Sequence, residues 1–244
     1  MTSIVIIPAR YDSTRFPGKP LCLLKGRPLI QHVYENSKLS KLADDVLVAT
    51  DSETIFETVL SFNGKAVMTD KKHLSGTDRI AEVATKLKYD IIVNVQCDEP
   101  LIKPEMIDDV IKLLDDKRAS IGTLVKKISE PSEITNQNIV KVVFDKEGFA
   151  LYFSRSIIPF CAKHSEVSEP IYYKHIGIYS YRKNILLSLS QMEQTELEKT
   201  EKLEQLRALE NGMKIKVRET LFETIGVDTP EDLEKIEKWL SLSL

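Results

Sequence analysis

Short apolar, β-branched runs alternate with helical patterns through the first half of this chain, and that alternation limits its fold more than any other feature. Ser3 to Ile7, Val46 to Thr50, Lys65 to Met68 and Asp90 to Val95 read as strands. Between them, Pro28 to Leu39, the stretch capped by Asp51 or Ser52, and Ser75 to Leu87 read as helices. Ile55, Val59, Leu60 and Phe62 mark the apolar face of the second, and Ile80, Val83, Ala84 and Leu87 that of the third. Pro104 to Leu114 continues the series. This order predicts an α/β fold, a mostly parallel sheet with helices on both faces. Right-handed crossovers then set the loops after Ile7, Thr50 and Val95 on one rim, where such sheets bind ligands.

The second half is less regular. Ser120 to Lys126, Ile139 to Phe144, Ala150 to Ser154, His175 to Tyr181 and Lys214 to Val217 read as strands, with a turn at Lys146-Glu147-Gly148. Glu196 to Glu210 reads as one charged helix closed by Asn211-Gly212, and a last helix begins at Pro230 and runs to Leu240. No repeat, low-complexity segment or Gly/Ser linker divides the chain. The simplest organisation is a single domain over 1–244 with a smaller inserted lobe, roughly 127–195, suited to forming a dimer.

With 244 residues, 42% of them hydrophobic and 29% charged, the chain can bury a core without staples. Its three cysteines, Cys22, Cys97 and Cys161, are far apart and form no CxxC pair, so neither a disulfide framework nor a zinc site is indicated. The net charge of −3, with both signs interspersed, gives no footprint for nucleic acid. The first apolar run is too short for a signal peptide or a membrane span, so a cytoplasmic protein is expected.

The loop after the first strand, Pro8 to Leu21, is the most informative stretch. It carries Arg10, Arg15 and Lys19 with the hydroxyls of Ser13 and Thr14, a set suited to a triphosphate. Gly18 permits close approach of backbone, and Pro17 and Pro20 stiffen the return. It is not a Walker loop, because Pro20 follows Lys19, and no GxGxxG occurs anywhere. Asn94-Val95-Gln96-Cys97-Asp98-Glu99-Pro100 follows another buried strand and brings Asp98 to the same rim. Gly226-Val227-Asp228-Thr229-Pro230 places Asp228 just before a helix. Hard oxygen donors beside a phosphate site suit Mg²⁺. Taken singly, Asp98 reads equally as a turn residue and Asp228 as a helix cap.

These motifs together, above all Ile6-Ile7-Pro8-Ala9-Arg10-Tyr11-Asp12-Ser13-Thr14-Arg15-Phe16-Pro17-Gly18-Lys19-Pro20-Leu21, resemble those of the 3-deoxy-manno-octulosonate (Kdo) cytidylyltransferases. The likeness runs over about residues 3 to 240. It implies a Rossmann-like nucleotidyltransferase sheet and transfer of CMP from CTP to the anomeric hydroxyl of Kdo, releasing pyrophosphate, for lipopolysaccharide synthesis. It assigns Lys19, Arg10, Arg15 and Asp98 to catalysis, and Asp98 and Asp228 to Mg²⁺. Ala9, Arg10, Ser13, Arg15, Lys19, Ser75, Gly76, Arg79 and Gln96 fall on the nucleotide side. Arg155, His175, Tyr179, Glu204 and Gln205 fall on the sugar side, where Arg155 suits a carboxylate and the others suit hydroxyls. The resemblance also implies a homodimer.

One position departs from the family's pattern: Cys97 stands where glycine is usual. With no histidine beside it in sequence, it does not read as a nucleophile. No side chain is an obvious general base, which favours deprotonation of the sugar hydroxyl with help from the metal. The motifs leave open a sister enzyme acting on 8-amino-Kdo or a neuraminic-type sugar acid. Other classes to weigh are a metal-dependent glycosyltransferase and a non-catalytic nucleotide sensor; the Gly18-Lys19 loop speaks against the first, and retention of Lys19, Asp98 and Asp228 against the second.

Overall fold

The structure, a computed structural model, describes residues 1–12, 16–73, 75–162, 170–227 and 229–242. β1 (Ser3–Ala9) leads through a 3₁₀ turn at Lys19–Leu21 into a short hairpin, β2 (Leu23–Leu24) and β3 (Arg27–Pro28). Then follow α1 (Leu29–Ser37), β4 (Asp45–Thr50), α2 (Glu53–Ser61), β5 (Ala66–Met68), α3 (Gly76–Thr85), β6 (Ile91–Asn94), α4 (Pro104–Leu113) and β7 (Ile121–Lys127). The segment where the sequence places a lobe holds α5 (Pro131–Thr135), β8 (Lys141–Phe144) and β9 (Ala150–Ser154). The chain closes with β10 (Tyr173–Arg182), α6 (Lys183–Leu189), α7 (Glu196–Glu201), α8 (Gln205–Glu210), β11 (Ile215–Glu219) and α9 (Pro230–Leu242).

The main sheet runs β11-β7-β10-β6-β1-β4-β5. β1 is buried along its whole length and pairs in parallel with β4 on one side and β6 on the other. Ala9 lies opposite Thr50, and Ile6 opposite Asn94, so the three carboxyl ends form the shared rim expected from the sequence. β10 is antiparallel to both β6 and β7, and it carries the β8–β9 pair on the lobe side.

The pleat of β1 explains its continuous apolar run. Val5, Ile7 and Ala9 face one core, shared with Ile30 and Val33 of α1, Ile55 and Val59 of α2, and Met106, Ile107 and Val110 of α4. Ile4 and Ile6 face a second core with Ile80, Val83 and Ala84 of α3, Leu186 of α6 and Leu206 of α8. A strand covered on both faces has no polar side to alternate with. A third, smaller cluster joins Leu24, Leu29 and Leu101 to Val227 and to Ile236 of α9.

The expected single helix from Glu196 to Glu210 is two helices. Lys202 adopts a left-handed conformation, φ 56°, and ends α7. The break lets Leu203 and Leu206 enter the second core while Glu198 and Arg207 form a buried ion pair across it, 2.6 Å apart. Tertiary burial thus overrides helical propensity, which is a weak local preference. α6 and α5 were not expected; each is short, and α6 is held by burial of Leu186 and Leu189.

Candidate active site

The phosphate-type loop begins where β1 ends. Ala9 is buried in the strand and Arg10, the next residue, is exposed at the rim. Gly18 closes the loop: its N–H donates to the Tyr11 carbonyl at 2.9 Å, with φ 69°. A Cβ at Gly18 would sit 3.4 Å from the Tyr11 ring in a conformation that side chains disfavour, so the turn needs glycine. Lys19 then starts the 3₁₀ turn and is nearly buried. Its Nζ lies 2.6 Å from Oδ2 of Asp98. Ser13 and Arg15 lie outside the described residues.

Asp98 stands on the tight turn after β6, in which Glu99 N–H donates to the Gln96 carbonyl and Ile102 N–H to that of Glu99. The C-terminal segment docks on this turn. Val227 N–H donates to the Asp98 carbonyl at 2.9 Å, and a Cβ at Gly226 would come within 3.3 Å of Glu99 Oε1. Two motifs remote in sequence therefore meet at Asp98. Asp228 itself lies outside the described residues, and among those described no three His, Cys, Asp or Glu side chains form a metal cluster.

Cys97 is not in the left-handed region; among the described non-glycine residues only Lys25, Asn63 and Lys202 have positive φ. The turn accepts a side chain here without backbone strain. Burial, with the Asp98 carboxylate adding to it, pushes the thiol up to about 12.

The nucleotide-side residues gather around Pro8. A Cβ at Gly76 would lie 3.2 Å from Pro8 Cγ and 3.9 Å from Gln96 Oε1, so glycine keeps a narrow gap between α3 and the rim. Gln96 donates to Asn94 Oδ1 at 3.4 Å. Ser75 is the N-cap of α3 and accepts from Asp78 N–H. Arg79 is buried and donates to Asp51 Oδ2 at 2.6 Å and to the Thr69 hydroxyl. It ties the start of α3 to the ends of β4 and β5.

On the sugar side, β10 presents a ladder of rings. His175 stands edge-on to Phe153, with centroids 5.2 Å apart, and is followed on the same strand face by Tyr179 and Tyr181. Burial lowers His175 to about 3, so its imidazole is neutral at neutral pH. Burial raises both tyrosines, Tyr181 against Thr77, and it raises Glu204 as well, against Thr77 and Ser75. Glu204 thus joins the α3 cap to the sugar side, beside a cleft of about 690 Å³ that Ser75, Asp78, Gln191 and Glu204 help to line. Gln205 is buried at the start of α8. Arg155 follows β9, with its Nε bonded to the Glu201 carbonyl at 2.9 Å and Nη1 to that of Gln137 at 3.0 Å.

Three supporting residues have no role of their own in the sequence reading. Thr123 lies fully buried beneath His175, and Asn94 holds Gln96. Lys141 is fully buried and donates to the carbonyls of Asn136, Ile139 and Arg155. Each is a polar residue inside an apolar run, the one signal by which it stands out in the sequence.

A doubly covered α/β sheet with a lysine–aspartate pair on its carboxyl rim is the frame a nucleotidyltransferase needs, and the comparisons show that class. A family model described as cytidylyltransferase matches residues 4–215. The 3-deoxy-manno-octulosonate cytidylyltransferase of Thermodesulfovibrio yellowstonii is 55% identical over 99% of both chains, and that of Geotalea uraniireducens 52% identical over 97% of this chain and 98% of its own. A solved structure of CMP:2-keto-3-deoxy-manno-octonic acid synthetase complexed with CTP superposes with a TM-score of 0.94, at 41% identity over the whole of both chains. The chain belongs to the cytidylyltransferase family, and within it to the 3-deoxy-manno-octulosonate cytidylyltransferases.

Proposed function

We propose that this protein joins the anomeric oxygen of Kdo to the α-phosphorus of CTP, forming CMP-Kdo. The bond from the α-phosphorus to the bridging oxygen breaks, pyrophosphate leaves, and the sugar hydroxyl gives up its proton. The observation that carries this reading is the Lys19–Asp98 pair, 2.6 Å apart, which joins the loop after β1 to the turn after β6 on the carboxyl rim. Lys19, already nearly buried, is placed to offset charge as pyrophosphate departs, where preorganised cations act most strongly. Arg10, exposed at the strand end, and Arg15 add to that charge. Gly76, Gln96 and the backbone at Ala9 and Arg10 would receive the base.

Asp98 retains partial exposure on a turn that the Gly226–Val227 backbone approaches closely, so a hard cation can reach its carboxylate. The donor set fits Mg²⁺, which takes one or two carboxylates and completes its shell with phosphate oxygens and water; Asp98 would hold it, with Asp228 as partner. When bound, the ion supplies charge neutralisation at the α-phosphate and a lowered pKa for the attacking hydroxyl.

The sugar acid would lie along His175, Tyr179 and Glu204, with Gln205 beside them and Arg155 facing its carboxylate. The product serves lipopolysaccharide assembly, in a cytoplasmic enzyme; among the described residues no helix is long and apolar enough to cross a membrane. Exposed Leu151, Ile157 and Phe160 on the 127–195 lobe support a homodimer, which sedimentation would test.

The deciding experiment is pyrophosphate release from CTP and Mg²⁺ with Kdo, 8-amino-Kdo or neuraminate. Release dependent on Kdo supports the reading. Release with another sugar acid alone changes the substrate, and silence with all three removes the proposed reaction.

A further inference from the structure

Thr123 is fully buried in β7, and its hydroxyl meets three groups of β10 at once. Oγ1 lies 2.7 Å from the Ile178 carbonyl, 3.2 Å from the Ile176 carbonyl and 2.9 Å from His175 Nε2. A bulge in β10 makes this possible. The register jumps from Ile176 opposite Leu124 to Tyr179 opposite Thr123, so two residues bow out and both carbonyls turn to one hydroxyl.

A hydroxyl carries one proton, and carbonyls only accept. With two carbonyl oxygens this close, the Thr123 proton must point to them, and its lone pairs are left facing the imidazole. Nε2 is therefore the nitrogen that carries hydrogen. A ring turned over would bring a carbon to 2.9 Å from the hydroxyl oxygen, closer than van der Waals contact allows. Desolvation keeps the imidazole neutral, so Nδ1 holds a lone pair and no proton. Among the described residues Nδ1 has no hydrogen-bond partner, while Phe153 and Tyr179 fix the plane of the ring.

We propose that Thr123 is a positioning residue: it holds His175 as the Nε2–H tautomer, so that Nδ1 offers one directed acceptor to a hydroxyl of the sugar acid. This rests on the sugar-side reading above. It adds a specific polarity, because the wall at His175 takes a hydrogen and does not give one. A hydroxyl can meet that demand, whereas a carbonyl, an ether or a carboxylate at the same place would face a lone pair.

The test pairs a spectrum with kinetics on the full chain. Long-range proton–nitrogen correlations on histidine-labelled protein at neutral pH read the tautomer directly; the chain has four histidines, and His175→Asn assigns the signal. Wild type and Thr123→Ser are expected to show Nε2–H and the same KM for Kdo. Thr123→Val, which can neither accept from Nε2 nor serve the carbonyls, should lose that pattern. It should also raise the KM for Kdo about 10-fold, the upper range for one neutral hydrogen bond, with the KM for CTP unchanged. A wild-type Nδ1–H pattern overturns the inference, as does a valine variant that changes tautomer yet keeps its KM for Kdo, or a serine variant that restores neither. If Thr123→Val does not fold, the wild-type and serine spectra, with the serine KM, still decide it. Failure of the wild type to use any sugar acid would sink the proposed reaction instead, and the spectrum would stand apart from that result.

Discussion

Lys19 Nζ lies 2.6 Å from Asp98 Oδ2, although the two residues are 79 positions apart. The pair joins the loop after β1 to the turn after β6, and the lysine is the more buried partner. In the proposed reaction a triphosphate arriving at this rim would compete with Asp98 for Lys19, and a divalent cation would compete with Lys19 for Asp98. Asp98→Asn keeps the shape and removes the anion. It is expected to lower kcat about 10²- to 10³-fold, the scale of losing a preorganised electrostatic group, while the dissociation constant for CTP moves far less. Pyrophosphate release and calorimetry measure the two quantities; unchanged turnover would remove Asp98 from the reaction.

Arg79 and Asp51 make a different kind of pair. The guanidinium is buried and 2.6 Å from a carboxylate that is itself mostly covered. Removing one partner of such a pair leaves an uncompensated buried charge and costs about 3 kcal/mol. Asp51→Ala should therefore lower the melting temperature, by roughly 2–4 °C per kcal/mol for a chain of this size. A direct nucleotide ligand would show the reverse pattern on mutation, a large rise in the KM for CTP with little loss of stability. Thermal melts of Asp51→Ala and Arg79→Met, with the KM for CTP of each, separate the two roles.

The central sheet and its rim are legible in the sequence because β1, β4 and β6 follow from local apolar runs. Lys19 and Asp98 are legible because each lies in the loop that follows such a run. What escapes depends on partners far along the chain. Lys202 breaks α7 from α8 because Leu203 and Leu206 must be buried and Glu198 must reach Arg207. Nothing in the local charge pattern of 196–210 announces that. The resemblance puts Arg79 on the nucleotide side, and nothing local announces Asp51, 28 residues earlier, against its guanidinium. Thr123 reads as one more strand residue until the β10 bulge brings His175, 52 residues away, to its hydroxyl.

Cys97 stands beside Asp98, and its environment decides its reactivity. The thiolate is the nucleophile, and burial together with the neighbouring carboxylate pushes this thiol up to about 12. At pH about 8 it is expected to stay protonated. Brief treatment with iodoacetamide should label exposed Cys161 and leave Cys97 intact, with turnover preserved. Peptide mass spectrometry reads the sites. Rapid labelling of Cys97 with loss of activity would mean that its thiol is ionised and open to solvent.

His175 should leave its mark on the acid side of the stability curve. Its folded-state value is lowered to about 3 by burial among Phe153, Tyr179 and the Thr123 wall, against about 6.5 for an unperturbed histidine. Between those values the unfolded chain binds a proton that the folded chain refuses, so stability rises with pH there and is lost as pH falls below about 6.5. The slope from this one group approaches about 1.4 kcal/mol per pH unit, or about 2 kcal/mol between pH 6.5 and 5. His175→Gln has no such proton to take up. Urea unfolding of both proteins across this range should therefore show the wild type losing about 2 kcal/mol relative to the variant as the solution is acidified. Parallel curves would mean that the imidazole charges as readily in the folded protein as in the unfolded chain. The neutral acceptor assigned to Nδ1 would then be absent over the lower part of the range, and the sugar-side wall would carry a donor there instead.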